Sequence, residues 1–250
     1  MAKLRALTYN CFEGIEMKDI VKRLLGKVIV SCQAYEDTPL YGSENMKTMA
    51  KSVLMGGAEA IRACWPQDIK AIRELGDFPI IGINKVIDQR KVEGEYVIIT
   101  PTYESAIEVI EAGADVLALD CTLEHGRGKE ELLELLNKIK KTYPDIAIMA
   151  DCETLDDCIN AEKTGMIDIL ATTLSGQHKK LNGPDVELIN AIKANCSLPV
   201  NGEGSIWELK DLQVAIEAGA DMVCIGSAIT RPHLIAERFI EYNKKVRDSE

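Results

Sequence analysis

Four times along the chain a short glycine-centred turn closes one stretch and opens an apolar run. The turns read Met55-Gly-Gly-Ala-Glu-Ala60, Glu111-Ala-Gly-Ala-Asp115, Lys163-Thr-Gly-Met-Ile-Asp168 and Glu217-Ala-Gly-Ala-Asp221. Their shared glycines, Gly57, Gly113, Gly165 and Gly219, are spaced by 56, 52 and 54 residues. Each suits the left-handed position that ends a helix before a short connection to a strand. Repetition at a fixed period means that one supersecondary unit is used again and again. Between the four marked strands lie four more apolar runs, Lys27 to Gln33, Pro79 to Lys85, Ala147 to Cys152 and Leu198 to Gly204. Eight strands are therefore expected.

The intervening segments carry apolar residues at helical spacing: Ser43 to Met55, Pro66 to Leu75, Tyr103 to Ala112, Lys129 to Thr142, Leu155 to Thr164, Pro184 to Ala194, Trp207 to Ala218 and Arg231 to Val246. Ser43, Thr102 and Thr154 are expected as caps, and Pro184 in a first turn. Runs such as Val116 to Leu119 and Met222 to Ile225 are apolar throughout. Strands of that kind are covered on both faces and belong to a parallel sheet. The expected fold is thus α/β, a single (β/α)8 TIM barrel. The runner-up, an open doubly wound sheet, lacks a G-x-G-x-x-G after its first strand. Residues 1–25 are expected as an N-terminal extension, with Glu13 to Leu25 forming a short helix that closes the barrel floor and residues 1–12 loosely held. The barrel itself is expected over residues 26–247. Val86 to Glu95 reads as a charged loop, long for its place.

Composition narrows the partners. A formal net charge of −11 argues against nucleic acid, whose backbone is held by clustered Lys and Arg. It leaves room for a small anion bound by a few backbone N–H groups. No segment has the roughly 20 apolar residues of a membrane span, and the first residues lack a signal-like apolar stretch. With eight cysteines scattered without pairing, a cytoplasmic protein with reduced thiols is expected.

Barrel enzymes keep their chemistry at the C-terminal ends of the strands. The polar residues there are Ser31, Cys32, Gln33, Arg62, Lys85, Asp120, Asp151, Thr172, Thr173 and Glu203. The last two strands end in Asn201-Gly-Glu-Gly-Ser205 and Ile225-Gly-Ser-Ala-Ile-Thr-Arg231. Glycines at 202, 204 and 226 let backbone N–H groups approach a phosphate, at the usual phosphate site of this fold, and Arg231 adds a bidentate donor. His125, His178 and His233 share no ligand spacing, so no metal is expected. Cys32, Cys64, Cys121 and Cys152 lack a histidine partner and read as packing residues.

Ser31-Cys-Gln-Ala34, Gly82-Ile-Asn-Lys85, Ile99-Thr-Pro-Thr102, Ala118-Leu-Asp120, Met149-Ala-Asp151, Ala171-Thr-Thr-Leu-Ser-Gly176, Gly202-Glu-Gly204 and Gly226-Ser-Ala-Ile-Thr-Arg-Pro232 follow one another in order. Over about residues 24–240 this series resembles the N-acetylmannosamine-6-phosphate 2-epimerase family. The resemblance implies interconversion of N-acetylmannosamine 6-phosphate and N-acetylglucosamine 6-phosphate in sialic acid breakdown, without a cofactor. By resemblance Lys85 matches the catalytic lysine and Glu203 an essential glutamate. Gln33, Arg62 and Asp151 match positions that hold the sugar, with Thr173 grouped beside them. Gly204, Gly226, Ser227 and Arg231 match the phosphate cradle. The expected partner is a small sugar phosphate; self-association into a homo-oligomer stays open.

The residue types suit the chemistry. A C2 hydrogen becomes acidic once the sugar ring opens to an aldehyde, so the site must aid opening, remove the proton, stabilise an enolate and return a proton to the other face. A lysine, ordinarily titrating at about 10.4, serves as base when burial or a nearby positive charge favours its neutral form. Arg62 is expected to supply that charge. The chain departs from the family pattern at Val86, Gln177 and Ser205, which bears on the sugar preferred. Competing readings are another sugar-phosphate epimerase, a Schiff-base lyase, or a barrel that binds a sugar phosphate without turning it over.

Overall fold

The computed structural model describes residues 17–86, 99–124, 127–177 and 179–248. Eight parallel strands close in chain order, with the eighth returning to the first. They are β1 (Val28–Cys32), β2 (Ala60–Cys64), β3 (Ile80–Ile83), β4 (Val116–Asp120), β5 (Ala147–Asp151), β6 (Ile169–Ala171), β7 (Val200–Glu203) and β8 (Met222–Ile225). Helix α1 (Asp19–Leu24) precedes the barrel. Helices α2 (Ser43–Met55), α3 (Pro66–Arg73), α4 (Tyr103–Glu111), α5 (Lys129–Thr142), α6 (Leu155–Lys163), α7 (Val186–Asn195) and α8 (Leu209–Glu217) follow the first seven strands in turn. The short α9 (Ser227–Thr230) and α10 (Pro232–Arg247) follow β8. Closure of the sheet is the (β/α)8 barrel expected and excludes the open alternative.

The strands are apolar throughout because each faces two cores. Outward residues such as Val30, Ile61, Leu117 and Ile148 pack with the helices, and inward ones such as Ile29, Ile81, Val116 and Met149 fill the lumen. At β3 the helix layer comes so near that a Cβ on Gly82 would stand 2.5 Å from Val109 and 2.6 Å from Ala114. Only glycine permits that approach of α4 to the sheet.

The glycine repeat forms the barrel floor. Gly57, Gly113, Gly165 and Gly219 have φ of 95°, 106°, 69° and 102°, each just past a helix end. Helix α1 closes this end: Val21 and Leu24 are fully buried among the inward residues, and Lys18 bonds Ile146 O and Asp168. It is shorter than the Glu13 to Leu25 expected; residues 1–16, including the segment expected to be loosely held, lie outside the described residues, as does most of the 86–95 loop.

Thr102 and Thr154 cap α4 and α6 through reciprocal capping boxes. Two expected start signals fall differently. Ser43 is the first helical residue rather than the cap, and its hydroxyl donates to the buried Asp68 at 2.8 Å instead of accepting from an N–H of its own helix. Pro184 lies before α7; Asp185 is the cap, accepting from Leu188 N at 3.1 Å. Helix α10 differs from the others in burying none of its residues, and it leaves Phe239 74% exposed.

Candidate active site

Side chains alternate along a strand, so every second residue points into the lumen. On β2 the inward series is Ala60, Arg62, Cys64, which drives a guanidinium into the middle of the barrel. Its partner lies across the lumen on β5. Arg62 donates to both carboxylate oxygens of Asp151, Nη1 to Oδ1 at 3.1 Å and Nη2 to Oδ2 at 2.8 Å. Nη1 also meets Glu203 Oε2 at 3.1 Å and Met149 Sδ at 3.4 Å. Arg62 and Asp151 are both fully buried. Burial works against the Arg62 charge, but Asp151 and Glu203 outweigh it and push its pKa above the ordinary value.

Glu203 ends β7 and stands just above this pair. Its Oε2 accepts from Asn201 Nδ2 at 3.0 Å, and its backbone is clamped on both sides by the Thr172 hydroxyl at 2.9 and 3.0 Å. Burial pushes the carboxyl above the usual carboxylate range; Arg62 pulls it back and Asp151 adds to the rise. Asp151 also accepts from the Thr173 hydroxyl. Strand ends β2, β5, β6 and β7 are thus tied into one polar network beneath the rim.

Above the network opens a cavity of about 220 Å³, lined by Gln33, Lys85, Thr173, Glu203, Gly204, Gly226, Ser227 and Arg231 among others. Eight of the ten expected site residues therefore share one space. Arg62 and Asp151 form its underpinning rather than its lining. Lys85 and Glu203 extend from β3 and β7, strands on opposite sides of the ring. The Lys85 backbone forms an isolated bridge with Ile99, and Thr100, strained at φ 48°, bonds Asn84 on both sides while donating to Ala118 O at 2.7 Å. That knot fixes where the lysine leaves the barrel.

The anion end is built from backbone. Gly204 and Ser205 have φ of 108° and 55°. Gly226 precedes α9, whose first N–H groups, as at any helix start, lack partners within the helix. A Cβ on Gly226 would press on Ser31 Cβ at 3.4 Å. The Thr230 hydroxyl donates to Ser31 O at 2.7 Å, fastening α9 to β1. Gln33 Nε2 donates to Ser31 Oγ at 2.7 Å, while its buried Oε1 has no partner among the described residues.

One expectation is corrected. Arg62, expected to charge the neighbourhood of Lys85, is turned across the lumen and pairs with Asp151 and Glu203. The cation that shares surroundings with Lys85 is Arg231: both lie over the ring of Tyr35, at 5.0 Å for Arg231 and 5.6 Å for Lys85. Tyr35 and Asn201 were not singled out by sequence reasoning. Asn201 had a signal, since it shares the inward parity of Glu203. Asp120 is buried away from the cavity lining and accepts from Thr122 N and Oγ1. The cysteines behave as packing residues: burial pushes the Cys32 and Cys64 thiols up to about 12, and those of Cys121 and Cys152 well above the ordinary value. His233 starts α10; His125 and His178 lie outside the described residues.

A closed barrel with a polar, acid-and-base-lined cavity at the C-terminal ends of its strands defines a (β/α)8-barrel enzyme. A family model described as "Putative N-acetylmannosamine-6-phosphate epimerase" matches residues 46–245. A protein of Caldanaerobacter subterraneus subsp. tengcongensis, named "Putative N-acetylmannosamine-6-phosphate 2-epimerase", is 43% identical over 92% of this chain and 97% of its own length. A Clostridioides difficile protein of the same name is 37% identical over 89% and 98%. The solved N-acetylmannosamine-6-phosphate 2-epimerase from Clostridium perfringens superposes with a TM-score of 0.80 at 35% identity, covering 91% of this chain and 98% of that one. The chain belongs to the N-acetylmannosamine-6-phosphate 2-epimerase family.

Proposed function

We infer that the chain inverts C2 of N-acetylmannosamine 6-phosphate to give N-acetylglucosamine 6-phosphate, by proton removal and return without a cofactor. The observation that carries this reading is the placement of Lys85 and Glu203 in one cavity that Gly204, Gly226, Ser227 and Arg231 also line. The backbone N–H groups and Arg231 hold the phosphate, which fixes the sugar's other end over the network. Lys85 takes the C2 proton. Glu203, where burial favours the protonated form and Arg62 the charged one, exchanges a proton with the ring oxygen as the ring opens or with the carbon on the opposite face. Arg62 and Asp151 hold Glu203 in place, and the unpartnered Gln33 Oε1 and the Thr173 hydroxyl face the sugar.

The experiment is proton NMR of N-acetylmannosamine 6-phosphate with the enzyme in D2O, following both epimers and deuterium at C2. Epimerisation with deuterium incorporation is expected for the wild type and its loss in Lys85→Met. Retained exchange in that variant rules out Lys85 as base, and borohydride trapping of a substrate adduct on Lys85 moves the reading to a lyase.

Two broader features go with this reading. No described helix is long and apolar enough to cross a membrane. The seven described cysteines are free, which suits a reducing compartment and a cytoplasmic enzyme. Self-association is supported by α10, where Phe239, Ile240, Tyr242 and Val246 are all exposed. Sedimentation equilibrium of the full chain tests it, a monomeric mass at micromolar concentration being the contrary result.

A further inference from the structure

We propose that Tyr35 is a positioning residue for the reaction: its hydroxyl holds Lys85 Nζ while its ring carries the Arg231 guanidinium, so one side chain sets the distance between the proton-transfer group and the anion-binding group of the cavity. The inference rests on the reading of Lys85 as base and Arg231 as phosphate ligand.

A lysine is a point charge on a flexible four-carbon stem, and aiming it at one carbon requires something that fixes its tip. Lys85 is held at both ends. Its Nζ donates to Tyr35 Oη at 3.0 Å, and its backbone carbonyl accepts from Trp65 Nε1 at 3.0 Å. The two aromatic residues brace each other, Tyr35 and Trp65 meeting edge to face with centroids 5.8 Å apart and planes at 82°. Trp65 reaches this position with φ of 68°, a left-handed conformation rare for a bulky residue, while its own N–H continues the sheet by donating to Ile83 O at 2.9 Å. Strain of this kind persists only where the surroundings over-determine it.

The opposite side of the assembly is Arg231, whose guanidinium carbon lies 5.0 Å from the Tyr35 centroid. The electron-rich ring with its oxygen is what holds two basic side chains so close to each other. Burial alone raises the phenol's pKa, yet Lys85 and Arg231 together outweigh burial and bring it below the ordinary value. Tyr35 does not line the larger cavity. It faces an adjoining one of about 120 Å³ with Gln33, Thr230 and Arg231, so it acts on the reaction through Lys85 and Arg231 rather than by touching the sugar.

Hydroxyl and ring have separable tasks, and Tyr35→Phe and Tyr35→Leu divide them. In the D2O assay, with Lys85→Met run beside them, Tyr35→Phe is expected to lower kcat on the order of ten- to a hundredfold, since the base loses its fixed aim. Its KM should rise less than in Tyr35→Leu, since the ring still lies beneath Arg231 although the hydroxyl's contact with that guanidinium is lost. Tyr35→Leu should show the same fall in kcat and also raise KM about three- to tenfold, through the lost cation–ring contact. A wild-type kcat in Tyr35→Phe, or equal changes in kcat and KM accompanied by a lowered Tm in both variants, overturns the proposal. An active Lys85→Met instead overturns the base assignment on which it rests; an inactive Lys85→Met beside an unaffected Tyr35→Phe removes Tyr35 alone.

Discussion

The two ends of this barrel are built on opposite principles. At the floor one device recurs: a carboxylate two or three residues past the glycine accepts an N–H from the first or second residue of the preceding strand and pairs with a basic side chain. Asp115 accepts from Ile80 N at 2.8 Å and pairs with Arg73; Asp168 accepts from Ile148 N at 2.9 Å and pairs with Lys18; Asp221 accepts from Val200 N at 2.8 Å and pairs with Lys193. The first repeat keeps only the ion pair, Glu59 with Lys27 at 2.6 Å. At the rim no such device recurs, although β4 and β5 both end in Asp, with Asp120 and Asp151 paired in register. Arg62, Lys85 and Glu203 each bring a side chain that the neighbouring strands do not repeat, and Asp151 differs from Asp120 in what it meets, Arg62 rather than Thr122. Repetition at one end secures the fold and variety at the other supplies the chemistry.

Replacing Lys85 with Met should separate these principles most widely. Epimerisation and C2 deuteration should fall by about 10²- to 10⁴-fold, the range that positioned acid–base groups contribute, while the melting temperature holds. A matched loss of stability would make Lys85 part of the framework and blur the division between rim and floor.

Arg62 is the residue on which that division is sharpest tested, because it is a rim side chain buried like a core one. Arg62→Met leaves Asp151 and Glu203 facing each other without a cation. Breaking a buried pair by removing one partner costs about 3–5 kcal/mol. Urea unfolding should register that loss, and activity should fall with it as Glu203 loses its anchor. Unchanged stability would mean that the network serves catalysis alone.

At the floor, Asp221→Asn should cost about 1–3 kcal/mol, the toll of weakening a nearly buried acceptor that serves both Val200 N and Lys193. The NMR rate per folded enzyme should stay within about twofold. A larger fall in kcat would show that the floor transmits to the site and would break the comparison.

This asymmetry also explains what was legible in the sequence. Gly57, Gly113, Gly165 and Gly219 gave away the floor because a repeated task leaves a repeated residue, and eight apolar runs followed from strands with two buried faces. The rim was legible only as a set: eight of the expected residues do line one cavity. What sequence could not give was direction. Arg62 was expected to charge the neighbourhood of Lys85, but a two-residue period sends it across the lumen to Asp151. Tyr35 and Trp65 carried no signal, since their meeting with Lys85 joins the ends of β1, β2 and β3. Ser43 read as a cap because its bond to Asp68, on another helix, is a tertiary fact.

The smallest expected effect isolates the backbone. Gly165 has φ of 69°, and a Cβ placed on it meets nothing within 4 Å. Gly165→Ala therefore adds no clash, only the left-handed penalty of about 1–2 kcal/mol. A Tm lower by about 2–8 °C is the corresponding shift for a domain of this size. Gly113→Ala places its Cβ 3.2 Å from Arg73 Cγ, so it should cost more, by whatever it takes to displace the side chain that also holds Asp115. If both variants lose equal stability, the repeat is held by φ alone. If Gly113→Ala also loses more than Gly57→Ala, whose φ of 95° is close to that of Gly113 and whose Cβ meets nothing within 4 Å, the glycine and the ion pair form a single unit, and the floor's repetition reflects packing as well as backbone geometry.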